Sequence, residues 1–220
     1  MRINEILTIL QQLPYFTKQN LPLALRKEGE DLNYWIKKLM KEKLLVPLKK
    51  GFYISPYYQK TMIRDPAQSE IYWIYLANVL RGPSYVSGEY VLSKYNLIPE
   101  TAFAITSVTL KSSRKYISQT ATFIYRHIKK ELFYGYQLMV FGNSGLTARI
   151  AYPYKALFDF LYLRPFSSQE EMKDYLIEKG RFNWDALSDQ NKKEFIKTCN
   201  LSSSRKMLLI VSILKKEKIL

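Results

Sequence analysis

The sequence has one cysteine, Cys199, and one histidine, His127. A single cysteine rules out a disulfide within the chain and fits a reducing compartment. One Cys and one His cannot assemble a His/Cys zinc site without help from carboxylates. A Ser-His-Asp or Cys-His enzyme would have to use His127, and no recognisable nucleophile accompanies it. Neither G-x-x-x-x-G-K-[ST] nor G-x-G-x-x-G occurs, and "GNSG" at 142–145 reads as a turn. Long apolar runs are missing as well. A stretch such as "MLLIV" at 207–211 falls far short of the roughly 20 residues a membrane span needs. The opening "MRINEILTILQQLP" carries Glu5 and lacks the apolar core of a signal peptide. The expectation is a soluble, cytoplasmic protein with no metal, no cofactor, no catalytic residues and no membrane partner.

Acidic residues are scarce: 19 Asp and Glu stand against 34 Lys and Arg, a net charge of +15. Such an excess concentrates polyanions around a protein. Nucleic acid is the first partner to consider and an anionic membrane surface the second, and charge alone does not choose between them. With 47% hydrophobic residues over 220 positions, the chain can build a real core in one or two domains.

Residues 1–60 carry eleven Lys and Arg against five Asp and Glu. Ile3, Ile6, Leu7 and Leu10 recur at helical spacing, and Leu13-Pro14 ends that helix. Thr17 can cap a short helix over 18–25, with Pro22 inside it. "EDLNYWIKKLMKEKLL" then predicts a third helix ending near Glu42. Leu32, Trp35, Ile36, Leu39 and Met40 share one face, Tyr34, Lys37, Lys38 and Lys41 the other, and Asn33 lies on the flank. "LLVPL" and "GFYIS" follow with strand character, separated by Lys49, Lys50 and Gly51. This is the element order of a winged helix-turn-helix, in which the third helix enters the major groove and the wing lies along the phosphate backbone. Lys49 and Lys50 are then expected to hold phosphate. Phe52 and Ile54, or Tyr53 alone, would pin the second strand to a small core, depending on register.

Beyond residue 58 the pattern changes. "YYQKTMIRD" at 57–65 reads as a linker, and Asp65-Pro66-Ala67-Gln68 opens a helix with Ile71, Ile74, Tyr75 and Val79 along one side. "RGPS" ends it, and a short helix is expected around 87–95. "FAITSVTL", "TATFIYRHI" and "YGYQLMVF" predict an antiparallel sheet, with "KSSRK" as the turn between the first two. Helices are expected at 153–163, 168–179, 191–199 and 203–218. The fold class is α+β: residues 1–58 as the winged helix-turn-helix, and 59–220 as an α+β domain with an antiparallel sheet and C-terminal helices.

Six stretches in order carry a resemblance: "FTKQNL", "LNYWIKKLMKEKLLVPLKKGFYIS", "PSYVSGEYVLSKYNLIPE", "ITSVTLK", "FIYRHIKKELFYGY" and "IAYPYKALFDFLYL". Together they resemble the AbiEi-type antitoxins of type IV toxin–antitoxin systems, over roughly residues 1–165. The resemblance implies a repressor that binds repeats in its own promoter, with homo-oligomerisation on the DNA left open. It also implies an antagonist of a nucleotidyltransferase-type toxin that needs no stable complex with that toxin. By position it maps DNA contacts onto Asn33, Tyr34, Lys37, Lys38, Lys41, Lys49 and Lys50. The family's A-x-P-x-K-A-L-x-D motif falls on Ala151, Pro153, Lys155, Ala156, Leu157 and Asp159, with Tyr154 where members often have Glu.

Lys155 and Asp159 are four residues apart on a helix, with Tyr162 on the same stripe. They form either an i,i+4 ion pair worth about 0.2–0.5 kcal/mol or a polar site of the antitoxin domain, joined by Ser107, Thr109 or Arg126 from the sheet. His127, in a strand pattern beside Lys129 and Lys130, reads as a structural residue or a surface contact. Two alternatives stay open: a metal-dependent nuclease or nucleotide-modifying enzyme with a basic domain, and a stand-alone regulator without a toxin. The carboxylates Asp159, Glu170, Glu171, Asp174 and Glu178 show no metal-ligand spacing.

Overall fold

The computed structural model describes residues 3–63, 65–141 and 145–220. Most of the expected turn at 142–145 therefore lies outside the described residues. The fold is mixed α+β, with two sheets and two clusters of buried side chains.

The smaller cluster is built by the first fifty residues. Helix α1 (Ile3–Gln12) buries Ile6 and Leu10, while the side chain of Ile3 lies outside the described set. Strand β1 (Phe16–Thr17) and helix α2 (Leu21–Leu25) follow. Thr17 is not a helix cap: its Oγ1 accepts from the Gln19 and Asn20 backbone N–H groups in a tight turn before α2. Helix α3 (Gly29–Lys41) ends at Glu42 as its pattern predicts, and buries Leu39 against α1 and α2. Met40 departs from expectation and is exposed, because it lies past the edge of that stripe. Strands β2 (Val46–Lys49) and β3 (Phe52–Ile54) form a hairpin, with β1 on the far side of β3. Gly51 turns it at φ +75°, a conformation that favours glycine.

The register resolves which residues of β3 serve which core. Tyr53 packs on the small cluster alone, whereas Phe52 and Ile54 point into the larger one with Leu48. The hairpin is thus shared between the two cores.

The expected linker is a helix, α4 (Pro56–Met62). Ser55 Oγ caps it by accepting from Tyr57 N–H at 3.2 Å, and Pro56 opens its first turn. The Ser-Pro pair signals this start. Tyr58 is buried against Tyr72, with ring centroids 5.5 Å apart. Helix α5 (Pro66–Leu80) is capped by Asp65, whose Oδ1 accepts from Gln68 N–H at 2.8 Å. It buries Tyr72, Ile74, Leu76, Ala77, Asn78 and Leu80, so its apolar surface runs all round rather than along one stripe. Such a helix belongs inside a core. Tyr72 OH donates to Pro14 O at 2.6 Å and ties α5 back to the segment between α1 and β1.

The larger sheet has six strands in the order β6-β7-β5-β4-β9-β8. They are β4 (Ser84–Val86), β5 (Ala104–Thr109), β6 (Arg114–Ile117), β7 (Thr122–His127), β8 (Tyr136–Phe141) and β9 (Leu146–Ala151). The sheet is mixed, not antiparallel as expected: β5 runs parallel to β7, and β4 parallel to β9. The reason lies in β6. Its Arg114, Lys115 and Ile117 are exposed, which suits an outer edge. With β6 outermost, β7 returns between β6 and β5, and two reversals leave it parallel to β5.

Helix α6 (Glu89–Lys94) and helix α7 (Pro153–Leu163) cover the sheet face opposite α5. Tyr125 OH reaches Ala77 O in α5, whereas Tyr85 OH reaches Asp159 in α7. Helix α8 (Gln169–Asp174) passes into a π turn at Tyr175–Lys179. Helices α9 (Asp189–Leu201) and α10 (Arg205–Lys216) then pack on α7 and on each other. Among the described residues no helix is long and apolar enough to cross a membrane.

Candidate functional site

Helix α3 presents the residues singled out from its pattern. Asn33, Tyr34, Lys37 and Lys41 are exposed. Lys38 is half-buried, its ammonium 4.8 Å from the centre of the Trp35 ring. Tyr34, Lys37, Lys38, Lys41 and Glu42 edge a shallow open groove. Among the described residues no ion pair involves Lys37, Lys38 or Lys41. Their charge is not tied up in an ion pair, although Glu42 shares the groove, and Lys37 and Lys41 stand where an anionic ligand can reach them.

The hairpin divides its two lysines. Lys50 is exposed at the turn. Lys49 is half-buried and anchored: its ammonium donates to Leu80 O at the end of α5 and lies 5.1 Å from the Tyr116 ring and 5.9 Å from the Phe52 ring. Partial burial, together with nearby Arg81 and Lys111, holds its pKa below the ordinary lysine range. The alternation within β2 and the bulge between Pro47 and Lys49 turn this side chain toward α5 and β6.

The motif on α7 takes a different form. Lys155 and Asp159 are both fully buried and ion-paired. Asp159 Oδ2 accepts from Tyr85 OH at 2.9 Å and from Ser87 Oγ at 2.8 Å. The rings of Phe158, Tyr134 and Tyr85 surround the Lys155 ammonium at 4.9, 5.4 and 5.6 Å. Burial opposes charge on both partners, holding Lys155 below the lysine range and Asp159 above the carboxylate range. Their attraction and the two hydroxyl donors pull the other way. This is a sealed polar pin between β4 and α7, not a solvated i,i+4 pair.

Gly135, at φ +75°, lets the chain pass over it. A Cβ at that position would lie 2.8 Å from Lys155 Cγ.

Of the other expected members, Ser107 and Arg126 line a small cleft together with Ser87 and Asp159. Ser107 is in register with Tyr125, whose hydroxyl reaches α5. Thr109 Oγ1 donates to Pro83 O at 2.7 Å, and Arg126 pairs with Glu89 at 2.7 Å. Tyr162 stacks on Phe158 at 5.4 Å, and its carbonyl takes the Lys206 ammonium at 2.6 Å. His127 is exposed. Tyr85 and Ser87 were not foreseen. Their signal was "SYVS", where a period of two puts both hydroxyls on one strand face.

Among the described residues no group of three or more His, Cys, Asp or Glu could hold a metal ion. No family model matches the chain, and no curated protein matches it.

Proposed function

We propose that this chain is a DNA-binding autorepressor and an antitoxin of the type IV class, acting against a nucleotidyltransferase-type toxin. The first unit is read as a winged helix-turn-helix, with α3 as the recognition helix and β2–β3 as the wing. The observation that carries this reading is the exposed, unpaired cationic face of α3, followed directly by the hairpin. Tyr34 and Asn33 on that face can meet base edges, while Lys37 and Lys41 meet phosphate. The resemblance of residues 1–165 to AbiEi-type antitoxins supplies the antitoxin role, and the polar pin on α7 would then brace that domain rather than touch a ligand.

The test is binding to the promoter of the chain's own gene. With about four to six phosphates neutralised, log affinity falls against log salt with a slope of roughly −4 to −5. Charge reversal at Lys37, Lys38 and Lys41 together is expected to abolish preferred binding to the promoter repeats in a folded protein. Unchanged binding by that variant overturns the assignment of α3. Co-expression with the neighbouring toxin gene checks the second half of the reading, since growth restored by the full chain is the expected result.

A further inference from the structure

Beside the sealed pin, a cleft opens between α6, α7, the 98–102 loop and the π turn at Tyr175–Lys179. Its inner end, about 10 Å³, has room for one water-sized group and is lined by Ser87, Ser107 and Asp159. Its outer part, about 310 Å³, is lined by Ile98, Arg164 and Tyr175. Glu89 and Phe160 stand in the walls of both and join them. None of these residues lies on α3 or on the β2–β3 hairpin.

Among the described residues three buried side-chain nitrogen or oxygen atoms have no hydrogen-bond partner, and two of the three are Ser107 Oγ and Arg164 Nε. Ser107 is 2% exposed and lines only the inner end, while Arg164 lines only the outer part. Buried polar atoms are almost always hydrogen-bonded, so two orphans in the walls of one cleft point to something that binds between them. The charges agree. Glu89 pairs with Arg126, Glu100 with Arg181, Lys179 with Asp174 and Asp159 with Lys155. Of the charged side chains in these walls, Arg164 alone enters no ion pair among the described residues. Its guanidinium is nevertheless fixed in place, with the central carbon 3.8 Å from the centre of the Tyr175 ring. Tyr175 opens the π turn, and single turns of that kind recur at functional sites.

We propose that this cleft binds a small organic carboxylate that carries a hydroxyl at its far end. The carboxylate meets Arg164, whose Nε–H donates to it and whose charge it balances. One negative charge suffices, because the other cations in the walls already have their partners. A phosphate dianion would bring a second, unmatched charge close to Glu89 and Glu100. The apolar middle of the ligand lies against Phe160 and Ile98. Its hydroxyl enters the inner end, where Ser107 Oγ, able to donate and to accept, completes a hydrogen bond. A pocket of this size, with apolar walls and a few convergent polar groups, is the usual form of a small-ligand site.

The experiment follows the full chain by saturation-transfer NMR with four probes. These are para-hydroxyphenylacetate, phenylacetate without the hydroxyl, para-hydroxyphenylethanol without the carboxylate, and phenyl phosphate. The hydroxy acid is expected to bind best, phenylacetate several-fold more weakly, and the alcohol about tenfold more weakly or worse. Arg164→Gln should remove the preference for acid over alcohol. Ser107→Ala should bring the two acids to the same affinity. It should leave the melting temperature unchanged or slightly raised, since it deletes a buried hydroxyl that has no partner. Arg164→Lys, which keeps the charge and loses the Nε–H donor, serves if Arg164→Gln loosens the π turn. It should bind the acids more weakly than the parent and still prefer them to the alcohol.

Equal binding of acid and alcohol by the parent chain overturns the carboxylate assignment, and so does tighter binding of phenyl phosphate. Equal binding of the two acids by the parent overturns the placement of the hydroxyl on Ser107. Absence of saturation transfer to all four probes overturns the site itself, and so does acid binding that survives Arg164→Gln unchanged.

Discussion

Helices α3 and α7 both carry lysine, and they use it in opposite ways. On α3, Lys37 and Lys41 stand in solvent and Lys38 leans on an indole ring, with no ion pair to any of them among the described residues. On α7, Lys155 is enclosed by three aromatic rings and held by Asp159. The difference is one of surroundings. An exposed ammonium keeps its hydration and attracts an anion at little cost to the fold. A buried ammonium loses its hydration and depends on its partner. Lysine on the first helix is thus available for ligand, and lysine on the second is committed to structure.

The largest break in this comparison is Asp159→Ala. It strands the Lys155 charge in the core and is expected to destabilise the protein by about 3–5 kcal/mol in denaturant unfolding. Lys155→Met combined with Asp159→Asn should recover most of that loss, because no buried charge remains and an amide oxygen still accepts from Tyr85 and Ser87. A double variant as unstable as Asp159→Ala would mean that the ion pair itself, not the stranded charge, holds β4 to α7. Next in size is Gly135→Ala. It forces a side chain into a left-handed position and toward Lys155 Cγ, with an expected loss of about 1–3 kcal/mol. The smallest effect on stability belongs to Lys37→Gln, Lys38→Gln and Lys41→Gln. Each should stay within about 0.5 kcal/mol of the parent, while promoter binding falls steeply. A large stability loss there would erase the contrast between the two helices.

Much of this was legible locally. The amphipathic pattern of α3 located its buried stripe and its end at Glu42, and Asp65-Pro66 marked the start of α5. Tyr34, Lys37 and Lys41 reach solvent because a one-sided helix must turn its charged face outward. What failed were features set by distant neighbours. Residues 57–62 looked like a linker because their apolar partner, Tyr72, lies on another helix. The sheet looked antiparallel because local alternation reports strands but not which strand goes to the edge. Lys49 read as a free wing lysine because nothing nearby in sequence announces the Leu80 carbonyl that anchors it.

By itself, then, the sequence determined the charge excess, the single Cys and His, the limits of the main helices and the lysine face of α3. These are properties of composition and of short-range periodicity, which survive without knowledge of contacts. Only the tertiary structure decided that Lys155 and Asp159 are sealed, that Tyr85 and Ser87 complete their hydrogen bonds, and that Ser107 and Arg164 line one cleft. Burial and charge juxtaposition depend on which residues far apart in the chain become neighbours, and pairing of that kind is settled by packing alone.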